Sequence, residues 1–134
     1  MPLAVIFIDQ ATKWGVRQGT PAIIGPFRLE EVINPNGAFS LPLPAMVLTL
    51  IWLTILGYLA LKLRQTKAQA AILLVIGGGL SNLLDRLVAG GVRDIMQLGD
   101  LFFNVADGAI VIGALAVVVI LISGEITGAH SSST

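Results

Sequence analysis

Residues 105–123, "VADGAIVIGALAVVVILIS", form the stretch that decides the fold, because Asp107 is its only charged side chain. A helix needs about 20 apolar residues to cross the roughly 30 Å hydrocarbon core of a bilayer. Backbone groups in lipid must be hydrogen-bonded within their own segment, so this run predicts a transmembrane helix. Two further apolar runs, Ala45–Leu63 and Ala68–Leu84, predict two more such helices.

The composition of the whole chain is typical of an integral membrane protein. Of 134 residues, 55% are hydrophobic and only 12% are charged, and the mean hydropathy is +0.89. About a quarter of the residues in a soluble domain are charged. The formal net charge is zero, so we expect no nucleic-acid partner. The chain has no Cys and its single His is His130, which excludes thiol catalysis, and we expect no metal or other cofactor.

From these runs we expect an all-α membrane protein, with residues 1–134 in one domain and four transmembrane helices. The segment at about residues 20–40 contains "AIIG" and "FRLEEVIN", whose composition is strand-like. It predicts a small extracytoplasmic β platform between helices 1 and 2. We expect the tail at 124–134 to be disordered. The predicted helices cover about residues 2–18, 45–63, 68–87 and 104–123.

The first predicted helix is short at its beginning. Only eight residues precede Asp9, which is about 12 Å of helix at 1.5 Å per residue and less than half of a bilayer. We therefore expect the natural start to lie upstream of Met1. The run does not resemble a secretory signal peptide, because it has neither a basic beginning nor a small-residue cleavage site.

The short connection between the second and third predicted helices indicates the orientation. Lys62, Arg64 and Lys67 place three positive charges there and no acid, and such loops stay in the cytoplasm. Both termini are then cytoplasmic. The polar segments at the opposite ends of the helices lie at the outer interface, where acidic and amide side chains from separate segments predict a functional site.

Asp94 and Asp107 are candidates for a catalytic pair at that interface. Two carboxyls held close together share a proton. The ionised member then takes a proton from water while the protonated member donates to the carbonyl oxygen of a peptide bond. Spacing alone does not show that the two residues meet. A Ser–Lys pair is formally available from Lys13 with Ser40 or Ser81, but no motif supports it.

Each acid also has a structural interpretation. Asp107 lies where a carboxylate complements the dipole of the last predicted helix. Asp85 and Arg86 are suited to anchor a helix end at the interface, and Asn82 shares a helix face with Arg86 at a spacing of four residues. In this structural interpretation, Asp94 and Asp100 are simply charged residues of an exposed loop.

Four blocks of sequence resemble, in order, the motifs of the bacterial lipoprotein signal peptidase family, the type II signal peptidases. "DQATK" at residues 9–13 is similar to the family's D-Q-x-T-K, and "NPNGAF" at 34–39 to its N-x-G-A-x-F. "GGGLSNLLDRLVAGGVRD" at 77–94 is similar to G-G-A-x-G-N-x-x-D-R followed by G-x-V-x-D. "FNVAD" at 103–107 is similar to F-N-x-A-D. The resemblance covers nearly the whole chain.

The resemblance implies an activity and a set of site residues. It implies that Asp94 and Asp107 are the catalytic dyad of a membrane-embedded aspartic endopeptidase without a metal. Such an enzyme removes signal peptides from prolipoproteins, cleaving before a cysteine that carries a diacylglyceryl group. Substrate-binding or dyad-orienting roles fall to Asn34, Asn82, Arg86 and Asn104. The structural positions of the motifs are Asp9, Lys13 and Asp85.

The resemblance also implies where the protein works and with what. We expect a multi-pass monomer in the bacterial cytoplasmic (inner) membrane, with its active site at the outer face. Its partners are the lipid-modified prolipoprotein and membrane lipid, and the surface segment 20–40 pairs with the extended signal peptide. Two alternatives stay open at this point. One is a small non-enzymatic membrane protein with an interfacial cation- or proton-binding acidic site, and the other is an inactive fragment of the peptidase.

Overall fold

The computed structural model describes residues 1–34, 45–62 and 67–123. Within these ranges the chain is mostly helical and carries one small antiparallel sheet. The helices are α1 (Pro2–Gln18), α2 (Ala45–Lys62), α3 (Lys67–Ala89) and α4 (Val105–Ile122). The strands are β1 (Ala22–Ile24), β2 (Phe27–Asn34), β3 (Val92–Leu98) and β4 (Leu101–Phe103).

Some sequence predictions fall outside the described residues. They concern the tail at 124–134, the part of the β platform beyond Asn34, Ser40, and the connection that contains Arg64.

Helix α3 is the central helix, and its glycine triplet explains why. Successive residues of a helix point about 100° apart, since there are 3.6 residues per turn. A Cβ added at Gly77 would lie 2.9 Å from Cβ of Val5 in α1, and one added at Gly79 would lie 2.9 Å from Cδ2 of Leu53 in α2. At Gly78 it would clash with the carbonyl oxygen of Ala106 in α4. Three adjacent glycines thus let three different helices pack against α3 at close range.

The helices present apolar side chains outward and polar ones inward. In α1, Phe7 is 75% exposed and Leu3 is 80% exposed, whereas Asp9 and Lys13 are fully buried. Helix α4 buries little more than small residues such as Ala106. This pattern is the reverse of that in a soluble protein, whose exposed helix faces are polar. It is the pattern expected where lipid surrounds the helices.

Two described helices are long and apolar enough to cross a membrane. They are Ala68–Ala89, with a mean hydropathy of 1.6, and Val105–Ile122, with a mean hydropathy of 2.8. A shorter apolar stretch runs from Thr49 to Lys62 in α2. Together with the outward-facing apolar residues of α1 and α4, these helices indicate a membrane protein.

The sheet corrects the sequence prediction about where the β platform comes from. The sequence placed it only between helices 1 and 2, and the residues between Asp94 and Asn104 were expected to form a loop. The structure instead has one sheet in the order β1-β2-β3-β4, so half of its strands lie between α3 and α4. The alternation of apolar and polar residues in "VRDIMQL" is weak, which explains why the composition of β3 did not reveal it.

Two tight turns and one strand pairing position the sheet. Gly25 and Gly99 have φ values of 60° and 59° and begin the two-residue turns of the β1–β2 and β3–β4 hairpins, where a positive φ matches the twist of the strands. Strands β2 and β3 pair antiparallel, with Val32 opposite Asp94. The sheet contacts α1 and α3, and α4 begins two residues after β4 ends.

Candidate active site

Asn104 links the two candidate aspartates. It is the N-cap of α4: its Oδ1 accepts a hydrogen bond from the backbone N–H of Asp107 at 2.9 Å, while Asp107 Oδ2 accepts one from the backbone N–H of Asn104 at 3.2 Å. This reciprocal capping box fixes the first turn of the helix. The Nδ2 of the same Asn104 donates to Asp94 Oδ1 at 3.0 Å. One amide side chain therefore connects the end of the sheet with the start of α4.

Two further amides hold the remaining carboxylate oxygens. Asn82 of α3 donates from Nδ2 to Asp107 Oδ1 at 2.8 Å, and its Oδ1 accepts from Asn104 Nδ2 at 3.3 Å. Asn34, the last residue of β2, donates from Nδ2 to Asp94 Oδ2 at 3.3 Å. We call these five residues the aspartate–amide site. Their four segments are β2, α3, β3 and the start of α4.

Arg86 lies beside this site rather than in contact with its carboxylates. Its Nη1 donates to the backbone carbonyl of Asn82 at 3.2 Å, one helical turn earlier. Its charge interacts with those of Asp107, Asp85 and Asp94 over a longer range. Among the described residues, neither Asp94 nor Asp107 has an ion-pair partner within 4 Å. The two carboxylates are held by amides and only influenced by cations.

Burial raises the pKa of the Asp94 carboxyl, whose side chain is only 2% exposed. The negative charge of Asp107 raises this pKa further, whereas the hydrogen bonds from Asn34 and Asn104 and the charge of Lys13 oppose the rise. An acid with a raised pKa retains its proton to a higher pH than usual. Asp94 is therefore suited to carry or exchange a proton within a pair of carboxyls.

A second charged group lies next to this site, and we call it the buried ionic cluster: Asp9, Lys13, Asp85 and Arg93. Lys13 Nζ donates to Asp9 Oδ2 at 2.5 Å and to Asp85 Oδ2 at 2.6 Å, and all three side chains are fully buried. Arg93 Nη2 donates to Asp85 Oδ1 at 2.5 Å. Two carboxylates thus face two cations in an environment where unpaired charge is costly.

The cluster is completed by Ser81, Gln10 and a backbone group of α4. Ser81 Oγ donates to Asp9 Oδ2 at 2.7 Å, and Gln10 Nε2 donates to Ser81 Oγ and to Asp85 Oδ1 at 3.0 Å each. Asp9 Oδ1 accepts from the backbone N–H of Ala106 at 2.9 Å. The last bond attaches α1 to the residue immediately before Asp107.

The structure separates the residues that the sequence singled out into two groups. Asn34, Asn82, Asp94, Asn104 and Asp107 form one hydrogen-bonded network. The motif residues predicted to be structural are in the buried ionic cluster, namely Asp9, Lys13 and Asp85.

The remaining candidates lie apart from both groups. Asp100 is in the exposed β3–β4 turn. The Ser–Lys alternative has no support at Ser81, because this hydroxyl donates to Asp9 and Lys13 donates to two carboxylates.

Sequence reasoning missed three residues of the ionic cluster. Gln10 is a fixed position of the D-Q-x-T-K motif, whereas Ser81 stands where the family's motif has Gly and was named only for the Ser–Lys alternative. No motif signal pointed to Arg93, since it occupies a position that the family's motif leaves open. In the described part of the chain, no group of three or more His, Cys, Asp or Glu side chains is arranged to hold a metal ion.

An apolar cavity of about 370 Å³ lies next to Asn104. Ile8 of α1, Met96 of β3 and Ile112 of α4 contribute to its wall, together with Phe103. The cavity thus joins the surface between two helices to the hydrogen-bonded amide that contacts both aspartates.

Comparisons with known proteins give relatives over most of the chain. The family model described as "Signal peptidase (SPase) II" matches residues 1–123. A "Lipoprotein signal peptidase" from Pelotomaculum thermopropionicum is 35% identical over 124 residues, covering 82% of this chain and 81% of the relative. One from Halothermothrix orenii is 31% identical over 138 residues, covering 94% of this chain and 95% of the relative.

Two solved structures share the fold. A bacterial membrane enzyme determined at 2.3 Å resolution gives a TM-score of 0.75 at 21% identity, covering 99% of this chain and 92% of the other. A second, at 1.9 Å resolution, gives a TM-score of 0.72 at 22% identity, covering 90% of this chain and 89% of the other.

Proposed function

This chain belongs to the signal peptidase II family, and from that premise we propose that Asp94 and Asp107 are its catalytic pair. The protein is a membrane aspartic endopeptidase that removes signal peptides from diacylglyceryl-modified prolipoproteins, cleaving before the lipid-modified cysteine. The observation that carries the assignment is the Asn104 side chain, which contacts Asp94 and caps the helix that begins with Asp107.

The amide partners suit the proposed chemistry. The ionised carboxylate takes a proton from a water molecule, the water oxygen attacks the scissile carbonyl carbon, and the protonated carboxyl donates to the carbonyl oxygen. When the tetrahedral intermediate collapses, the C–N bond breaks, the carboxyl that took the proton from water donates it to the leaving amine, and the other carboxylate takes back a proton from a hydroxyl of the intermediate. Asn34, Asn82 and Asn104 keep the carboxyls in place without supplying a full positive charge that would hold both of them ionised. The pair titrates as a unit, so the two roles are assigned to the pair.

Arg86 has a different role in this proposal. Its charge acts on both aspartates without contacting either, and its bond to the Asn82 carbonyl keeps it on the site's side of α3. We assign it to orienting the substrate backbone and to stabilising the negative charge that develops on the scissile carbonyl oxygen.

We further propose that α1 to α4 all span the bacterial inner membrane, with both termini in the cytoplasm and the aspartate–amide site at the outer face. The support is physical. The exposed faces of α1 and α4 are apolar, and the buried charges lie toward the end of the helices where the sheet packs. Lys62 lies at the opposite end of α2, which fits a cytoplasmic location for positive charge. We assign the protein as a monomer.

The sheet and the cavity suggest how substrate binds. Among the described strands, β2 is paired on both sides, so segment 20–40 offers an added strand only the outer edge of β1, and the other outer edge of the sheet is that of β4. We propose that the extended signal peptide pairs with the outer edge of β4, on which no described strand lies, because β4 leads directly into Asn104. The apolar cavity beside Asn104, between α1 and α4, then takes an acyl chain of the lipid-modified cysteine.

Cleavage of a defined substrate tests this function. Purified protein in lipid or detergent is incubated with a diacylglyceryl-modified prolipoprotein peptide and with the same peptide lacking the lipid. Release of the signal peptide from the lipidated form only, at the bond before the cysteine, is the expected result. Asp94→Asn and Asp107→Asn should each abolish it. Full turnover by either variant would contradict the assignment of the pair.

A further inference from the structure

Arg93 is tied to Asp85 at both its backbone and its side chain. Its backbone N–H donates to Asp85 Oδ2 at 3.1 Å, and its Nε and Nη2 donate to Asp85 Oδ1 at 2.9 Å and 2.5 Å. Its Nη2 also donates to Gln10 Oε1. The side chain is only 14% exposed. The Asp85 carboxylate of α3 therefore holds in place the residue that immediately precedes Asp94.

These bonds to Asp85 are made by a part of β3 that has few hydrogen bonds to neighbouring strands. Within the described residues, β3 pairs with β4 at Met96, Gln97 and Leu98, so the segment that contains Arg93 and Asp94 has a described strand partner on one side alone, in β2. On the other side, the Arg93 carbonyl accepts from Asn104 Nδ2 at 3.4 Å. Asp85 and Asn104 thus supply the backbone hydrogen bonds of Arg93 on the side where no described strand pairs with it.

Arg93 also balances the charge of the buried ionic cluster. Asp9 and Asp85 carry two negative charges, and Lys13 supplies only one positive charge. Without Arg93 the cluster would carry one uncompensated negative charge, although Lys13 would still contact both carboxylates. Removing one partner of a buried ion pair is strongly unfavourable, so the side chain of Arg93 is firmly held in its position.

We infer that Arg93 is a positioning residue that fixes the Asp94 carboxyl for catalysis through its bonds to Asp85 on α3. The inference rests on the proposed catalytic role of Asp94. Arg93 itself points into the cluster and contacts no carboxyl of the aspartate–amide site. Its planar fork contacts Asp85 and Gln10 together, which the single ammonium of a lysine does less well. Its loss should therefore lower kcat rather than weaken substrate binding.

Kinetics of Arg93→Met and Arg93→Lys test the inference. Arg93→Met should lower kcat about 10- to 100-fold with KM unchanged, since small displacements of a reacting group have effects of this size. Arg93→Lys keeps the charge and should fall between Arg93→Met and the wild type. Arg17→Met, at the end of α1, is the control, because Arg17 is exposed and belongs to neither the ionic cluster nor the aspartate–amide site. It should leave kcat and KM as in the wild type.

Thermal unfolding identifies which variants are folded. If Arg93→Met does not fold, the kcat of Arg93→Lys becomes the test of the inference. That kcat should still be lower than the wild-type value. A wild-type kcat in either folded variant would overturn the inference. So would a loss that lies entirely in KM.

A second measurement separates this inference from the proposed function. Amide hydrogen exchange over residues 92–95 should be faster in Arg93→Met, or in Arg93→Lys if only that variant folds, and unchanged in Arg17→Met. If the wild type cleaves no lipidated substrate, the proposed function fails. The hydrogen-exchange result alone then tests whether Arg93 positions residues 92–95. Unchanged exchange at 92–95 would overturn the positioning role, whatever the activity.

Discussion

Two pairs of carboxylates lie close together in this protein and have different surroundings. Asp9 and Asp85 are fully buried, and each lies within 2.6 Å of the Lys13 ammonium. Asp94 and Asp107 have neighbours of another kind, because their closest partners are the side-chain amides of three asparagines. The first pair is matched by cations and the second by neutral donors.

In our proposal, this difference keeps one pair of carboxylates fixed and leaves the other reactive. A buried carboxylate that contacts an ammonium or a guanidinium serves as a structural link between helices. An amide donates a hydrogen bond but adds no charge, so an acid held by amides can still gain or lose a proton. Substitutions in the two groups should therefore affect different properties, stability in the ionic cluster and turnover in the aspartate–amide site.

The largest effect is expected for the carboxyls of the aspartate–amide site. Asp94→Asn or Asp107→Asn should reduce the rate of cleavage by about 10³-fold or more, the upper part of the range for loss of an acid–base group. Each change also replaces one hydrogen-bond-accepting oxygen by an amide NH2 group, so it should cost about 1–3 kcal/mol of stability and leave the protein folded. Rates and thermal unfolding are measured on the same preparations. Asp100→Asn, in the exposed β3–β4 turn, is the control and should leave both properties unchanged.

The ionic cluster should respond in the opposite way. Lys13→Met removes the cation between two buried carboxylates and should lower the free energy of unfolding by about 3–5 kcal/mol, the usual cost of breaking a buried pair. Lys62→Met is the matched control, since Lys62 is an exposed residue at the end of α2. Denaturant or thermal unfolding in detergent measures both. Equal stability of the two variants would show that the cluster does not hold the helices together.

A smaller effect is expected from the contact that places α4 against α3. In Gly78→Ala the new methyl group would clash with the Ala106 carbonyl and lie 2.8 Å from Cγ1 of Ile110. Overpacking of this kind costs about 1–3 kcal/mol, and it should shift the first turn of α4 and reduce turnover. Gly57→Ala in α2 has no neighbour within 4 Å of the added Cβ and should be neutral or slightly stabilising. Wild-type activity in Gly78→Ala would mean that α4 tolerates the displacement.

The smallest effect is a dependence of stability on pH. Burial raises the pKa of Asp94 in the folded protein, so folding favours its protonated form. The stability from this group is complete below the ordinary pKa of about 3.9 and is lost as the pH rises through the raised value. Asp94→Asn has no such titrating group. The free energy of unfolding of the variant should therefore increase relative to that of the wild type as the pH rises. A difference that stays constant from acid to neutral pH would contradict a raised pKa of Asp94 in the folded protein.

The amino-acid sequence by itself determined the class of protein and its family. The length of the apolar runs, such as residues 105–123, depends only on local composition and on the thickness of a bilayer. The motifs at residues 9–13 and 77–94 likewise stand in the sequence as written. Both signals are local, so no knowledge of packing was needed to use them.

Only the tertiary structure decided which polar residues meet. Asn104 contacts Asp94 because β4 ends beside β3, and the composition of residues 92–103 contains no strong strand signal. Arg93 joins Asp85 through a strand that crosses the end of α3. Hydrogen bonds between such segments depend on helix packing and strand register, which are set by the glycine contacts of α3 and the pairing of β2 with β3. Spacing along the chain does not contain that information, because a polar side chain reaches only the partners that the fold brings within about 3 Å.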